Sequence, residues 1–394
     1  MIYIFILILL IVLSIHYDIN DGIKGKCFWY YTLLILFVLL AGLRYRVGVD
    51  STHETYFFFH ETPTLTHVFD GISFSEYPLW KILNSFIFTI GGMWYWVQLI
   101  QAAFVNILLF KYFEKHSKYI FTCIFFYYIW LYAAINFEEM KASFAIVLSL
   151  YSFDYIIEKK YLYGIALLLL GCLFHPSAIL VAALALMIFL RFNLLGILFL
   201  LSGFIIGYYV AKGSNEYLLL FFSFDDFLES KTTTYIESDI FFSREGKNIM
   251  YYLIRIMPLF LCPLVALLDI KHRKDNLDIL KLEPYLIMGL FMVGISSSIV
   301  IFYRFNNFYC AIFILFISQS FVDMIKTHGK SSMGLVWMVV GSLFVLNMYF
   351  YNMDRIDKFY PYSSVIDKQV YQSKERRFHK GSSLPVPMPN PNEY

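Results

Sequence analysis

Residues 27–50 read CFWYYTLLILFVLLAGLRYRVGVD, an apolar run of membrane length that stops abruptly at Arg44, Arg46 and Asp50. The stretch up to Leu43 carries no charge and is long enough to cross a bilayer with some tilt. Two cations and a carboxylate therefore sit at a membrane edge. Arginines at a helix end also snorkel to lipid headgroups, so this segment fixes where the membrane ends and leaves open what its charges do.

The rest of the chain has the same character. Of 394 residues, 59% are hydrophobic and 15% charged, against about a quarter charged in a soluble domain. The expected fold class is all-α, a polytopic membrane protein. A formal net charge of +2, with no basic stripe interleaved with aromatics outside the tail, argues against nucleic-acid binding. Cys27, Cys123, Cys172, Cys262 and Cys310 sit in apolar runs without CxxC or Cys/His spacing, which indicates neither a disulfide framework nor a zinc site. The opening MIYIFILILLIVLSI lacks a basic leader and a small-residue cleavage site, so it reads as a retained helix.

About twelve apolar runs are long enough to cross: 1–15, 27–43, 94–110, 119–135, 141–157, 161–174, 176–190, 194–211, 249–268, 284–303, 305–322 and 333–352. The pair flanking His175 also reads as one long crossing over 161–190. Short loops carrying Lys24/Lys26, Lys111/Lys115/Lys118, Lys159/Lys160, Lys271/Arg273/Lys274 and Lys326/Lys330 belong on the cytoplasmic side. Twelve crossings satisfy all five loops, put both termini outside, and require 77–92 to be re-entrant or to lie on the surface. Residues 1–352 then form one transmembrane domain with exterior loops at about 44–92 and 212–248. The second loop mixes Phe-rich and polar pieces, as amphipathic helices over a cavity do. The tail, 353–394, carries cations from Arg355 to Lys380 that sit awkwardly outside, and its proline-rich ending PVPMPNPNEY reads as disordered.

With this topology Arg44, Arg46, Asp50, Glu76, Lys141, His175, Arg244, Arg255 and Arg304 all fall in outer loops or outer helix ends. Cations at the mouth of an apolar bundle suit a lipid-linked diphosphate: the lipid lies against helices while Arg and Lys hold the phosphates. Snorkelling or helix capping is the alternative for each residue taken singly. His175, in LFHPSA, fits the first turn of a helix near the interface, as a general base or as a hydrogen-bond donor to a sugar or phosphate. Asp50 and Glu76 are the loop carboxylates placed to deprotonate a hydroxyl, or to pair with Arg44 or Arg46. Glu138 and Glu139 read as a solvated edge, Asp154 and Glu158 as structural. No Walker A, GxGxxG, HExxH or GxSxG motif is present, so the substrate must be delivered by the membrane.

Four groups of segments occur in a telling order: GLRYRVGVD followed by HETYF, then SEYPLWKIL, then NFEEMKASFA with LFHPSAIL further on, and late FYRFNNFY with FYPYSS. Together they resemble the Wzy/EpsG family of bacterial polysaccharide polymerases, over most of residues 40–365. Where that family's pattern has a helix-start Arg-Gln, this chain has Lys141 and Ala142, which keeps the charge and loses the bidentate fork. The resemblance implies a multi-helix, GT-C-like membrane glycosyltransferase that joins oligosaccharide units linked to undecaprenyl diphosphate on the outer face of the bacterial cytoplasmic membrane. It implies no nucleotide sugar and no metal or other cofactor, and a flippase and a chain-length regulator of the same pathway as partners. Arg44, Arg46, Lys141 and Arg304, with Arg244 nearby, would hold the departing diphosphate, and His175, Asp50 or Glu76 would take the proton. A ligase acting on the same donor, a transporter of lipid-linked sugars and a membrane acyltransferase are the competing readings. A transporter should place its charges deep in the bilayer and show repeat symmetry, and neither is legible here.

Overall fold

The computed structural model describes residues 2–70, 77–211, 229, 230, 233, 249–273, 278–297, 302–327, 333–353 and 356–367. Among them every regular element is helical, and the one β-type pairing is a bridge between Arg44 and Ser364. In chain order come α1 (Ile2–Leu13, continuing as a π-helical turn Ser14–Ile19), α2 (Lys26–Gly42), α3 (Val49–His60), α4 (Pro78–Thr89) and α5 (Trp94–His116). Next is α6 (Ile120–Phe126), prolonged by π-helical stretches Tyr127–Tyr132 and Ala134–Glu138, then α7 (Met140–Ile157), α8 (Tyr161–Phe174) and α9 (Ala178–Ala185). The remainder is α10 (Leu194–Ala211), α11 (Met257–Arg273, entered through a π-helical turn Tyr252–Ile256), α12 (Glu283–Ser296), α13 (Tyr303–Lys326), α14 (Met333–Met353) and α15 (Ile356–Phe359).

Among the described residues eight helices are long and apolar enough to cross a membrane, and α2, α8 and most of α10 are shorter apolar helices. This is the polytopic all-α architecture that the composition requires. The count of twelve is not reached with full-length helices among the described residues. The run 176–190 contains only the eight-residue α9, followed by turns. Pro176 explains the break, since the residue before a proline is driven out of the helical region, and His175 is extended at φ −156°. The segment nonetheless travels from one end of the bundle to the other: Ala185 accepts from the Tyr285 hydroxyl at 3.1 Å, and Phe192 N–H reaches Glu283 at 2.6 Å. Residues 161–193 thus cross and return.

Ion pairs sort the two ends. Lys115 meets Asp154 at 2.8 Å and Glu158 at 3.7 Å, Lys160 meets Glu158 at 2.7 Å, and Lys118 lies 3.5 Å from Asp323. Lys326 pairs with Asp21, Lys271 with Glu283, and Arg273 with Asp269. With Arg273 also reaching Thr327, the described parts of the five short basic loops collect at one end, and the opposite end is left to α3 and α4. There α4 is only 12 residues, about 18 Å, and both its ends touch groups of that same end. Trp80 bonds Glu54, and Phe88 packs on Phe58, which also meets Trp94. It lies across that end without crossing.

Between the ends, α12 and α13 are the most enclosed spans. Gly203 of α10 lets the two backbones touch, because a Cβ there would come within 2.5 Å of the Phe291 carbonyl. A line of uncharged polar groups runs inward along α5. Gln98 accepts from Ser51 at 2.8 Å, Gln101 donates to Ser143 at 2.9 Å, and Asn106 donates to Asn136 at 2.9 Å. The wider π turns after α6 leave carbonyls in need of donors, and side chains supply them: Gln101 to Ile135 and Asn136 to Tyr132.

After α14 the chain folds back over the α3 end. Tyr362 donates to the Leu40 carbonyl at 3.2 Å, Tyr45 N–H to Ser363 at 2.8 Å, and Val365 N–H to Leu43 at 2.9 Å. The tail expected to be partly disordered thus opens with an ordered strap, residues 356–367, laid against residues 40–45. The proline-rich ending lies outside the described residues, as does nearly all of 212–248.

Candidate functional site

The site grows from the turn that ends α2. Arg46 stands at φ 51° and Gly48 at φ 90°, left-handed values that reverse the chain within a few residues. A Cβ on Gly48 would lie 2.4 Å from the Phe137 carbonyl oxygen, backbone that cannot step aside. Gly48→Ala is therefore expected to destabilise the purified protein by about 2 kcal/mol or more, read as a lower melting temperature in detergent. An unchanged melting temperature would mean that the turn does not pack this way.

Arg44 is wholly buried beneath this turn. Its Nε donates to Val47 at 3.0 Å, Nη1 to the Ala41 carbonyl, and Nη2 to Met140 Sδ at 2.8 Å, while the guanidinium lies 5.1 Å from the Phe137 ring centre. Burial pushes it down to about 10, so it stays charged at neutral pH. This geometry makes Arg44 an internal clamp joining the turn, the π stretch and the start of α7. Arg46, partly exposed, holds its guanidinium 5.6 Å from the Tyr45 ring.

Asp50 and Glu54 stand one turn apart on α3, on the face toward α7. Asp50 accepts Met140 N–H at 2.9 Å, meeting a donor that the first turn of α7 cannot satisfy internally. Glu54 pairs through one oxygen with Lys141 at 2.7 Å and accepts the Trp80 indole N–H through the other at 3.1 Å. Burial, reinforced by the Glu54 carboxylate, pushes Asp50 up to about 7, against the pull of Met140 N–H, Lys141 and Arg304.

Lys141 projects over the Tyr77 ring at 4.8 Å, and that ring lies 5.2 Å from the His175 imidazole. His175 Nδ1 receives the Ser177 backbone N–H at 3.2 Å and meets the Ser177 hydroxyl at 2.6 Å. A backbone N–H can only donate, so Nδ1 is the acceptor and the proton of the neutral ring sits on Nε2. On the other side of Lys141, Glu139 accepts from Asn307 at 3.0 Å and lies 3.8 Å from Arg304 Nε. Its side chain is 13% exposed, so at Glu139 the expected solvated edge is replaced by a tie between α7 and α13.

The structure thus brings Arg44, Arg46, Asp50, Lys141, His175 and Arg304 to one end of the bundle. Glu76 and Arg244 lie outside the described residues. Sequence reasoning misses Glu54, Tyr77 and Asn307. For Glu54 the signal was present, since it follows Asp50 by one helical turn inside HETYF; for Tyr77 and Asn307 only the packing reveals the partner. No group of three or more metal-ligating side chains occurs among the described residues.

A sequence model of the EpsG family matches residues 27–364, from the start of α2 to the strap residue that bridges to Arg44. The chain belongs to the EpsG family. It is a multi-pass membrane protein of the polysaccharide-polymerase type. No curated protein and no solved structure matches it. The EpsG match takes in the turn, α3, α4, α7, the HPS segment, the start of α13 and the strap as far as Ser364.

Proposed function

We propose that this EpsG-family protein joins oligosaccharide repeat units carried on undecaprenyl diphosphate into surface polysaccharide, at the outer face of the bacterial cytoplasmic membrane. The observation that carries the reading is the clustering of Lys141 and Arg304 with carboxylates and an imidazole at one end of an apolar bundle. A hydroxyl of the acceptor unit attacks the anomeric carbon of the donor, the bond from that carbon to the diphosphate oxygen breaks, and its electrons leave with the lipid diphosphate. Lys141 and Arg304 stabilise the departing charge, with Arg46 and Arg244 as further candidates, while Arg44 holds the turn. The five basic loops at the opposite end support an outward-facing site by the positive-inside rule. Charges gathered at one end favour glycosyl transfer over transport through the bundle. A flippase delivering the lipid-linked unit and a regulator of chain length are the partners this chemistry calls for.

The test is chain growth by purified protein in lipid, given a lipid-diphosphate-linked repeat unit and followed as a ladder on a gel. A ladder that depends on the protein is the expected result. Folded protein that yields none with its native repeat unit overturns the reading.

A further inference from the structure

We propose that the acceptor's proton is taken by the Asp50–Glu54 carboxylate pair, and that His175 serves as a hydrogen-bond donor to the substrate. This rests on the glycosyl-transfer reading of the same site.

With His175 Nδ1 fixed as an acceptor by the Ser177 N–H, the neutral imidazole presents Nε2–H, which can donate but cannot accept a proton. The ring is also held in place by the Tyr77 ring at 5.2 Å. Among the described residues at this end, the carboxylates of α3 are then the groups that can take a proton.

On α3 two carboxylates stand one turn apart: Glu54 holds the Lys141 ammonium at 2.7 Å, and Asp50 feels that charge from farther away. Glu54 has both oxygens engaged, one by Lys141 and one by the Trp80 indole. Asp50 has one oxygen on Met140 N–H and, among the described residues, no equally close cation of its own. The charged groups around it are Glu54 on its own helix, Arg44 on the preceding turn, Glu138 and Glu139 just before Met140, Lys141 on α7 and Arg304 on α13. The negative charge of Glu54 and the enclosure together make Asp50 the group that can hold a proton near neutral pH. The step balances: the acceptor O–H gives its proton to the pair as the oxygen bonds the anomeric carbon, and the lipid diphosphate departs with the electrons of the broken bond. The proton then returns to water as Asp50 ionises.

Infrared titration of the purified protein reads the Asp50 proton without turnover. Wild type should show a protonated carboxyl band that disappears around neutral pH. Asp50→Asn should lack it, and Glu54→Gln should move it to lower pH by at least about one unit, because the like charge is gone. In the ladder assay, wild-type rate should fall about tenfold per unit on the acid side of neutrality, and Glu54→Gln should shift that limb in the same direction. His175→Gln, which keeps an N–H donor, should stay within about tenfold of wild type, whereas His175→Phe should lose far more. No carboxyl titrating near neutrality, or an acid limb unmoved by Glu54→Gln, overturns the pair. His175→Gln as inactive as His175→Phe overturns the donor role. A titrating band in wild-type protein that makes no ladder would instead overturn the polymerase reading, so the two failures are separable.

Discussion

Lys141→Ala is expected to slow chain growth by about 10²–10³-fold, the size of loss that follows when one preorganised donor to a developing anion is removed. The effect has two sources at this position. The diphosphate loses a cation at the start of α7, and Glu54, only 14% exposed at its side chain, is left without the ammonium 2.7 Å away. Lys141→Gln should be as poor as Lys141→Ala, because it restores length without charge. Lys141→Arg should stay within about tenfold of wild type, since a guanidinium can still reach Glu54 and the phosphates. If Lys141→Gln grows chains like wild type, the leaving-group role of Lys141 is wrong.

Ending the chain after Arg355 is expected to abolish ladder formation, while ending it after Asp367 should leave activity intact. The shorter chain loses the strap whose backbone pairs with Leu43 and Tyr45 and whose Phe359 ring packs 5.4 Å from Phe137. Phe137 carries Arg44 on its ring, so removing the strap uncovers the clamp that sets the turn before Asp50. Val365→Pro is the gentler version: it deletes the one N–H that reaches the Leu43 carbonyl, and a several-fold loss is expected. Equal activity in the chain ending at Arg355 would show that residues 356–367 are dispensable.

Much of the architecture is legible from hydropathy, because apolar length and the absence of charge are what the bilayer selects. The ends are legible too: Lys115, Lys118, Lys271 and Lys326 collect at one edge as the short basic loops require. The count of crossings is less so, since a proline after His175 and turns beyond Ala185 let the chain traverse with far less helix than hydropathy assumes. Within the site, residue type was readable and orientation was not. Arg44 is as basic as Arg304 in the sequence, yet one is sealed under a turn and the other stands half-exposed at the start of α13. Which of two acids meets Lys141 depends on how α3 leans on α7, and no local pattern carries that. Glu139 looked solvated because its neighbours are polar, and only the approach of α13 gives it Asn307.

The strap has a consequence for how the protein comes into being. Leu40 and Tyr362 are 322 positions apart, and every crossing helix between them is made before their bond can form. A ribosome that stalls inside α14 leaves behind a chain whose earlier helices are inserted and whose Arg44 turn is still uncovered. Such a fragment occupies the membrane without a finished site, so the Arg44 turn is covered only once translation has passed residues 356–367.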